Sequence, residues 1–289
     1  MNPDIVEDGV LPPGTNHSKT AGRYPLVAPL EQSVMIRDTG PYSARNLAKG
    51  ACITDAASVF AALRSGLTVE QVREGAYNGK VLPQRGRASR ERVWASLYHR
   101  YFVHGVAWVI AALSDAFGKG QQSPEFIALL YLHYAVRDRV TFDFVTQVLG
   151  NKGYANRPVI QRTDVLDLLD QAAAEQPQIS RWTEISRRKL ANSILTALRD
   201  FGVLQGIRNK VLVHPFLPLE TAEHLLRILT AEGRRGRQVL EDTTWRLFML
   251  SPEDVAGVLA KLAQEGRIRF EKAGRTVVLE TPTAWEETT

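Results

Sequence analysis

One cysteine, Cys52, occurs in 289 residues, so no disulfide within the chain can staple the fold, and a reducing compartment suits it. Long apolar runs are also missing. The longest stretch free of formal charge, Tyr101–Ser114, has fourteen residues, whereas a membrane-spanning helix needs about 20. It reads instead as a buried helix. The opening MNPDIVEDGVLPPG is acidic and proline-rich with no apolar core, unlike a signal peptide, and the expected location is cytoplasmic.

Signatures of catalysis are equally scarce. There is no HExxH, no Cys/His cluster, no GxxxxGK[ST] loop and no GxSxG elbow. The six histidines (His17, His99, His104, His133, His214, His224) are dispersed and read as core or surface residues. GNKGYAN at 150–156 follows a helix and so is not a phosphate cradle. Asp164, Asp167 and Asp170 recur along one side of a short helix, as a solvated face would. Asp138 and Asp143 flank Arg139 with no lysine motif of a metal-dependent nuclease nearby. No cofactor, metal site or catalytic residue is expected, and the chain reads as non-enzymatic.

What is present is helix, glycine and basic charge. Lys and Arg number 36 against 31 Asp and Glu, a net charge of +5, which permits nucleic-acid binding without requiring it. Residues 1–40 read as an N-terminal arm. Helical patterning starts near Tyr42. Thr54 is placed to cap one helix, and Thr68 with Gln71 forms a capping box for the next. Ser89 is placed to cap a long helix running to about Leu113. Pro124 opens the most apolar helix, and a further helix over Thr141–Leu149 would stop at Gly150.

A pattern then appears twice. Residues 186–213, SRRKLANSILTALRDFGVLQGIRNKVLV, read as a basic helix, a glycine stop and a strand pair. Before it, Asp164–Glu175 and Ile179–Glu184 read as two shorter helices. Residues 251–280, SPEDVAGVLAKLAQEGRIRFEKAGRTVVLE, read as a helix capped by Ser251, a stop at Gly266 and a hairpin over Arg267–Phe270 and Thr276–Glu280 turning at Gly274. Helices over Thr221–Ala231 and Thr243–Leu250 precede it. Each set is the outline of a winged-helix unit, which most often presents a helix to the major groove of DNA.

Basic residues gather in three places. Between Lys80 and Arg100, six cations face one carboxylate, and Arg85, Arg87, Arg90 and Arg92 sit on a loop and a helix start where phosphate is favoured. Arg181, Arg187, Arg188 and Lys189 mark the start of the first recognition helix. The second starts with Glu253 and Asp254, so there the candidate phosphate contacts are Arg267, Arg269, Lys272 and Arg275 on the wing. For the first cluster the alternative is an ordinary solvated face, or arginines pairing with acids elsewhere in the fold; for the second cluster and the second wing it is a winged helix that contacts protein.

The order of features from Tyr42 to Pro218 resembles the BrxA family of bacterial BREX phage-defence systems. The segments that carry it are YSARNLAKGACITDAASVFAALRSGLTVEQVRE, the N-x-x-x-L-x-x-R loop at 78–85 followed by ASRERVWASLYHRYF, LLYLHYAVRDRVTFDFVTQVL, and WTEISRRKLANSILTALRDFGVLQG. Together they span about 60% of the chain. The resemblance implies a mainly α, non-enzymatic protein, with a helical bundle similar to the antitermination factor NusB, able to bind double-stranded DNA. Some members have been labelled inner-membrane proteins, which the fourteen-residue limit here does not support. The family fixes no catalytic residue.

The expected architecture is therefore an arm over 1–40, a NusB-like helical bundle over 41–150, and two winged helix-turn-helix units with short β wings over 151–218 and 219–289. The expected function is that of a DNA-binding accessory protein, contacting duplex DNA through phosphates and associating with a BREX methyltransferase or effector complex. A transcriptional regulator of the defence operon, a protein-interaction scaffold and a NusB-like RNA-binding factor are the alternatives.

Overall fold

The computed structural model describes residues 35–47, 50–153 and 156–285, so most of the arm expected over 1–40 lies outside the described residues. The bundle begins with α1 (Ile53–Arg64) and α2 (Val69–Asn78). Cys52, with φ 54°, turns the chain into α1, so the helix starts one residue before Thr54, which does not cap it. Thr68 and Gln71 form the expected reciprocal box on α2. The single helix expected from Ser89 to Leu113 is two helices, α3 (Arg87–Tyr101) and α4 (Ala107–Gly118). Gly105, at φ 65°, supplies the left-handed turn between them. The turn lets Trp94, Leu97 and Tyr101 of α3 and Trp108, Val109 and Leu113 of α4 all bury. The apolar run Tyr101–Ser114 is thus divided between two helices.

At the centre lies α5 (Pro124–Val136), capped by Ser123 and buried at every residue from Ala128 to Val136. It packs against α3 and α4. After it, α6 (Arg139–Asp143), a π-helical stretch (Phe144–Leu149) and α7 (Gly150–Lys152) form one helical run capped by Asp138. The run passes straight through Gly150 and stops at Gly153, φ 65°. Gly150 has ordinary helical angles, φ −58° and ψ −37°, and so does not terminate it.

The first winged unit carries β1 (Val159–Ile160), α8 (Arg162–Ala172), a 3-10 turn (Pro177–Arg181), α9 (Glu184–Asp200), β2 (Leu204–Gln205) and β3 (Lys210–Leu212). The sheet has three strands, in the order β1-β3-β2, not the expected pair. Its extra strand comes from the polar connector, where Val159 pairs with Val211. The expected helix over Ile179–Glu184 is the 3-10 turn, because Thr183 takes up the N-cap of α9. Leu190, Ala191, Ile194, Leu195, Ala197 and Leu198 give α9 its buried face.

The second unit carries α10 (Leu219–Ala231), α11 (Arg237–Leu240), a 3-10 helix (Thr243–Phe248) in place of the longer helix expected there, α12 (Pro252–Gln264), β4 (Arg269–Ala273) and β5 (Thr276–Glu280). Ser251 and Asp254 box the start of α12. Gly274, at φ 58°, turns the hairpin, in which Phe270 faces Leu279. The strand begins at Arg269, two residues later than the sequence suggests.

This second unit is anchored to the bundle, and to the segment just before it, by buried polar contacts. Arg37 pairs with Glu232 and Asp242. The Tyr131 hydroxyl donates to the Leu247 carbonyl at 2.9 Å, and the Nε2 atoms of His133 and His224 lie 2.9 Å apart. No helix among the described residues is long and apolar enough to cross a membrane.

Burial holds four histidines below the usual imidazole range: His99 and His104 at about 4, His224 at about 3, and His133 also well below. Each is favoured neutral in the fold, so its contribution is complete above the unfolded value of about 6.5 and is lost as pH falls through the folded value. Asp138, pushed above the usual carboxylate range by burial, acts in the opposite sense. With four groups against one, Tm is expected to be flat above pH 7 and to fall steadily between pH 6.5 and 4. Thermal melts across that range check this, and an unchanged Tm at pH 4 would contradict it.

Candidate nucleic-acid interface

Helix α9 owes its orientation to both of its flanks. Thr183 accepts from Ser186 N at 3.2 Å, and the Ser193 hydroxyl donates to the Asn46 carbonyl at 2.6 Å. Asn46 in turn accepts from the buried Arg100 of α3 at 2.8 Å. The side of α9 away from its buried face of Leu190, Ala191, Ile194, Leu195, Ala197 and Leu198 presents Ile185, Arg188, Lys189 and Asn192, all exposed. Their spacing of three and four residues makes one stripe. Arg181, also exposed, sits just before it. Cations can meet phosphate, and an arginine or asparagine can bond base edges in the major groove.

The four cations predicted at this helix start differ in availability. Arg187 is held by Asp170 of α8, and its side chain is only 24% exposed. Arg188 pairs with Glu184 one turn away, but both are largely exposed. Such a surface pair is worth about 0.3–0.5 kcal/mol, so phosphate can displace it. Among the described residues, Arg181 and Lys189 have no carboxylate partner.

The wing after α9 adds charge that sequence reasoning overlooked. From Phe201 to Leu219 there is no Asp or Glu, and from Phe144 to Thr163 there is none either. These two segments supply all three strands of the sheet. The hairpin tip, Gly206–Ile207–Arg208–Asn209, is exposed throughout, with Arg208 on it and Lys210 beside it. Arg157 leans on the hairpin by donating to Gln205 Oε1 at 2.9 Å. Asn192, Arg157, Arg208 and Lys210 were thus missed as candidates. The signal that could have found the wing was a run without carboxylates, not a cluster of cations.

Elsewhere the predicted clusters thin out. Arg85 is exposed on its loop, and Arg92 is exposed with its Nε on the Ala88 carbonyl. Arg87 pairs with Glu91. Arg90 is a structural residue: it donates to the carbonyls of Tyr77, Gln84 and Arg85, tying the 77–85 loop to α3. On the second wing, Arg267 meets Glu223 and Glu265, and Arg269 meets Glu271 and Glu280. Among the described residues, Lys272 and Arg275 there are exposed without an ion pair. The four cations of that wing face four carboxylates, and Glu253 and Asp254 are exposed at the start of α12. This balance does not favour phosphate.

A cleft of about 250 Å³ opens between α4, α5 and α10. Trp108 and Leu129 line it with Asp115, Glu125, Glu220 and Glu223, and there Lys119 bridges Glu125 and Glu220 beside Arg227, so its charges are largely balanced. No group of three or more His, Cys, Asp or Glu residues among those described is arranged to hold a metal ion.

Comparison with known proteins agrees with this architecture. A crystal structure of an uncharacterized protein from Magnetospirillum magneticum matches with a TM-score of 0.57 and 17% identity, over 73% of this chain and 100% of that one. At that identity the likeness concerns the fold alone. No curated protein matches the chain. The family model for BrxA matches residues 40–228, which include the bundle, the first winged unit and most of α10. Membership in that family accords with a non-enzymatic accessory role in BREX defence and with association with other components of the system. By this match the chain belongs to the BrxA family.

Proposed function

We propose that this protein holds duplex DNA for a BREX methyltransferase or effector complex, with α9 in the major groove and the β2–β3 wing on the neighbouring backbone. In functional terms, residues 41–150 form the supporting bundle, 151–218 the DNA-holding unit, and 219–289 a unit for docking protein. The observation that carries the reading is the pairing of the outward stripe of α9 with a wing that lies within a nineteen-residue run, 201–219, free of carboxylates. Arg181, Arg188, Lys189, Arg208 and Lys210 are the assigned phosphate contacts. Arg85, Arg87 and Arg92 extend the surface, and Lys272 and Arg275 are peripheral.

Five such contacts give an expected log–log slope of affinity against salt of about −4.5, at about 0.9 per phosphate. Fluorescence anisotropy with a 30-base-pair duplex between 50 and 300 mM salt, with structured RNA as competitor, tests this. A slope near zero, or RNA outcompeting the duplex, would refute it. One observation favours a second reading, regulation of the local operon: Asn192 lies on the outward face and can bond adenine. Footprinting on the upstream promoter distinguishes the two, since a regulator protects one defined site.

A further inference from the structure

The three most exposed large apolar side chains among the described residues are Ile207 at 79%, Phe216 at 68% and Ile185 at 66%. All three belong to the first winged unit. A single exposed isoleucine is commonplace on a protein surface. Ile207 differs in where it sits and in how firmly its backbone is set.

The tip of the β2–β3 hairpin is a tight, preformed turn. Gly206 stands at φ 103°, and a Cβ there would come within 2.2 Å of the Asn209 carbonyl oxygen. The turn therefore closes only with glycine. On its far side, Lys210 Nζ donates to the Ile207 carbonyl at 3.0 Å. Two strand residues on each side hold the base, with Leu204 opposite Leu212 and Gln205 opposite Val211. The result is an apolar side chain carried on a braced loop, with Arg208 next to it and no carboxylate nearby in sequence.

We propose that this tip enters the minor groove of the bound duplex and that Ile207 wedges between adjacent base pairs, so that binding bends the DNA. The proposal rests on the reading of the first winged unit as the DNA-holding surface. Branched apolar side chains inserted from the minor groove unstack base steps and kink duplexes by about 20–90°. The narrow groove of A·T-rich DNA also carries enhanced negative potential, which favours an arginine at its edge. Charge complementarity thus brings the tip to DNA, and bracing keeps the side chain from folding back.

The test measures bend and affinity separately. A 30-base-pair duplex labelled at both ends reports its end-to-end distance by energy transfer, while anisotropy reports binding. The wild type is expected to shorten the end-to-end distance. I207A is expected to bind about tenfold more weakly, to leave the duplex nearly straight, and to keep the wild-type salt slope, since no charge is removed. Because Ile207 is 79% exposed, the Tm of I207A should match the wild type, which separates a lost wedge from a lost fold. A wild type that binds an unbent duplex, or I207A that bends it fully, overturns the wedge alone. A wild type with no duplex affinity at low salt overturns both the wedge and the reading beneath it.

Discussion

Replacing Arg181, Arg188 and Lys189 together with glutamate should weaken duplex binding by about 100- to 1,000-fold at 0.1 M salt. Each lost phosphate contact removes about 0.9 from the salt slope, so three remove about 2.7. Over the tenfold change from 1 M to 0.1 M salt, that is a factor of about 10^2.7, before any repulsion from the new carboxylates. The fold should survive, because all three side chains are exposed. Arg187 is left out deliberately. A glutamate there would face Asp170 and place two like charges where an ion pair now joins α8 to α9. The control is K272E/R275E on the second wing, expected to stay within about threefold of the wild type, in line with the roughly uniform, small effect of losing peripheral charges. Anisotropy titrations of the three proteins check this. If the triple variant kept wild-type affinity, or the control lost more than it did, α9 would not be the DNA-facing helix.

The second large effect concerns the core. Arg100 is buried and donates to the Ala51 carbonyl at 3.1 Å and to Asn46 Oδ1 at 2.8 Å, with its guanidinium 4.6 Å from the centre of the Tyr134 ring. Asn46 also bonds the buried Asp138, which feels the charge of Arg100. R100M would leave Asp138 buried without its counter-charge. It would also leave the Ala51 carbonyl and Asn46 Oδ1 without their donor; a buried acceptor left unpaired costs about 1–3 kcal/mol, so the loss is on the order of 3–10 °C in Tm for a chain of this size. R100M/D138N also neutralises the stranded carboxylate and should recover part of that loss. Thermal melts decide it. An R100M protein melting within about 2 °C of the wild type would contradict the account, and so would a double variant no better than the single. This network also bears on function, because the same Asn46 holds Ser193 of α9.

The parts of this fold that were legible in the sequence are those fixed by neighbours. Thr68 with Gln71 and Ser251 with Asp254 cap their helices within one turn and form as read, as does the helix start at Pro124. Gly202 and Gly266 end α9 and α12 with positive φ for the same local reason. Features set by distant partners were not legible. β1 is a strand only because Val159 and Ile160 meet Val211 and Lys210, some fifty residues on. The break after Tyr101 is hidden because apolar residues continue on both sides of Gly105. At the candidate interface, the sequence marked Arg188, Lys189 and Arg187 alike. Which of them is held depends on Asp170, seventeen residues earlier. Likewise, Arg90 looks like part of a phosphate-binding cluster until the carbonyl of Tyr77, thirteen residues away, takes its guanidinium. Charge can be counted from a sequence, but its availability is set by packing.

The central claim is that the first winged unit, and not the second, faces DNA. A photoreactive side chain at position 192 on α9 or at position 257 on α12 tests it most directly. Both positions are exposed, and a Cβ at Gly257 meets nothing within 4 Å. With the same duplex and the same protein concentration, cross-linking is predicted from 192 and not from 257. Cross-linking from 257 with none from 192 would contradict the account.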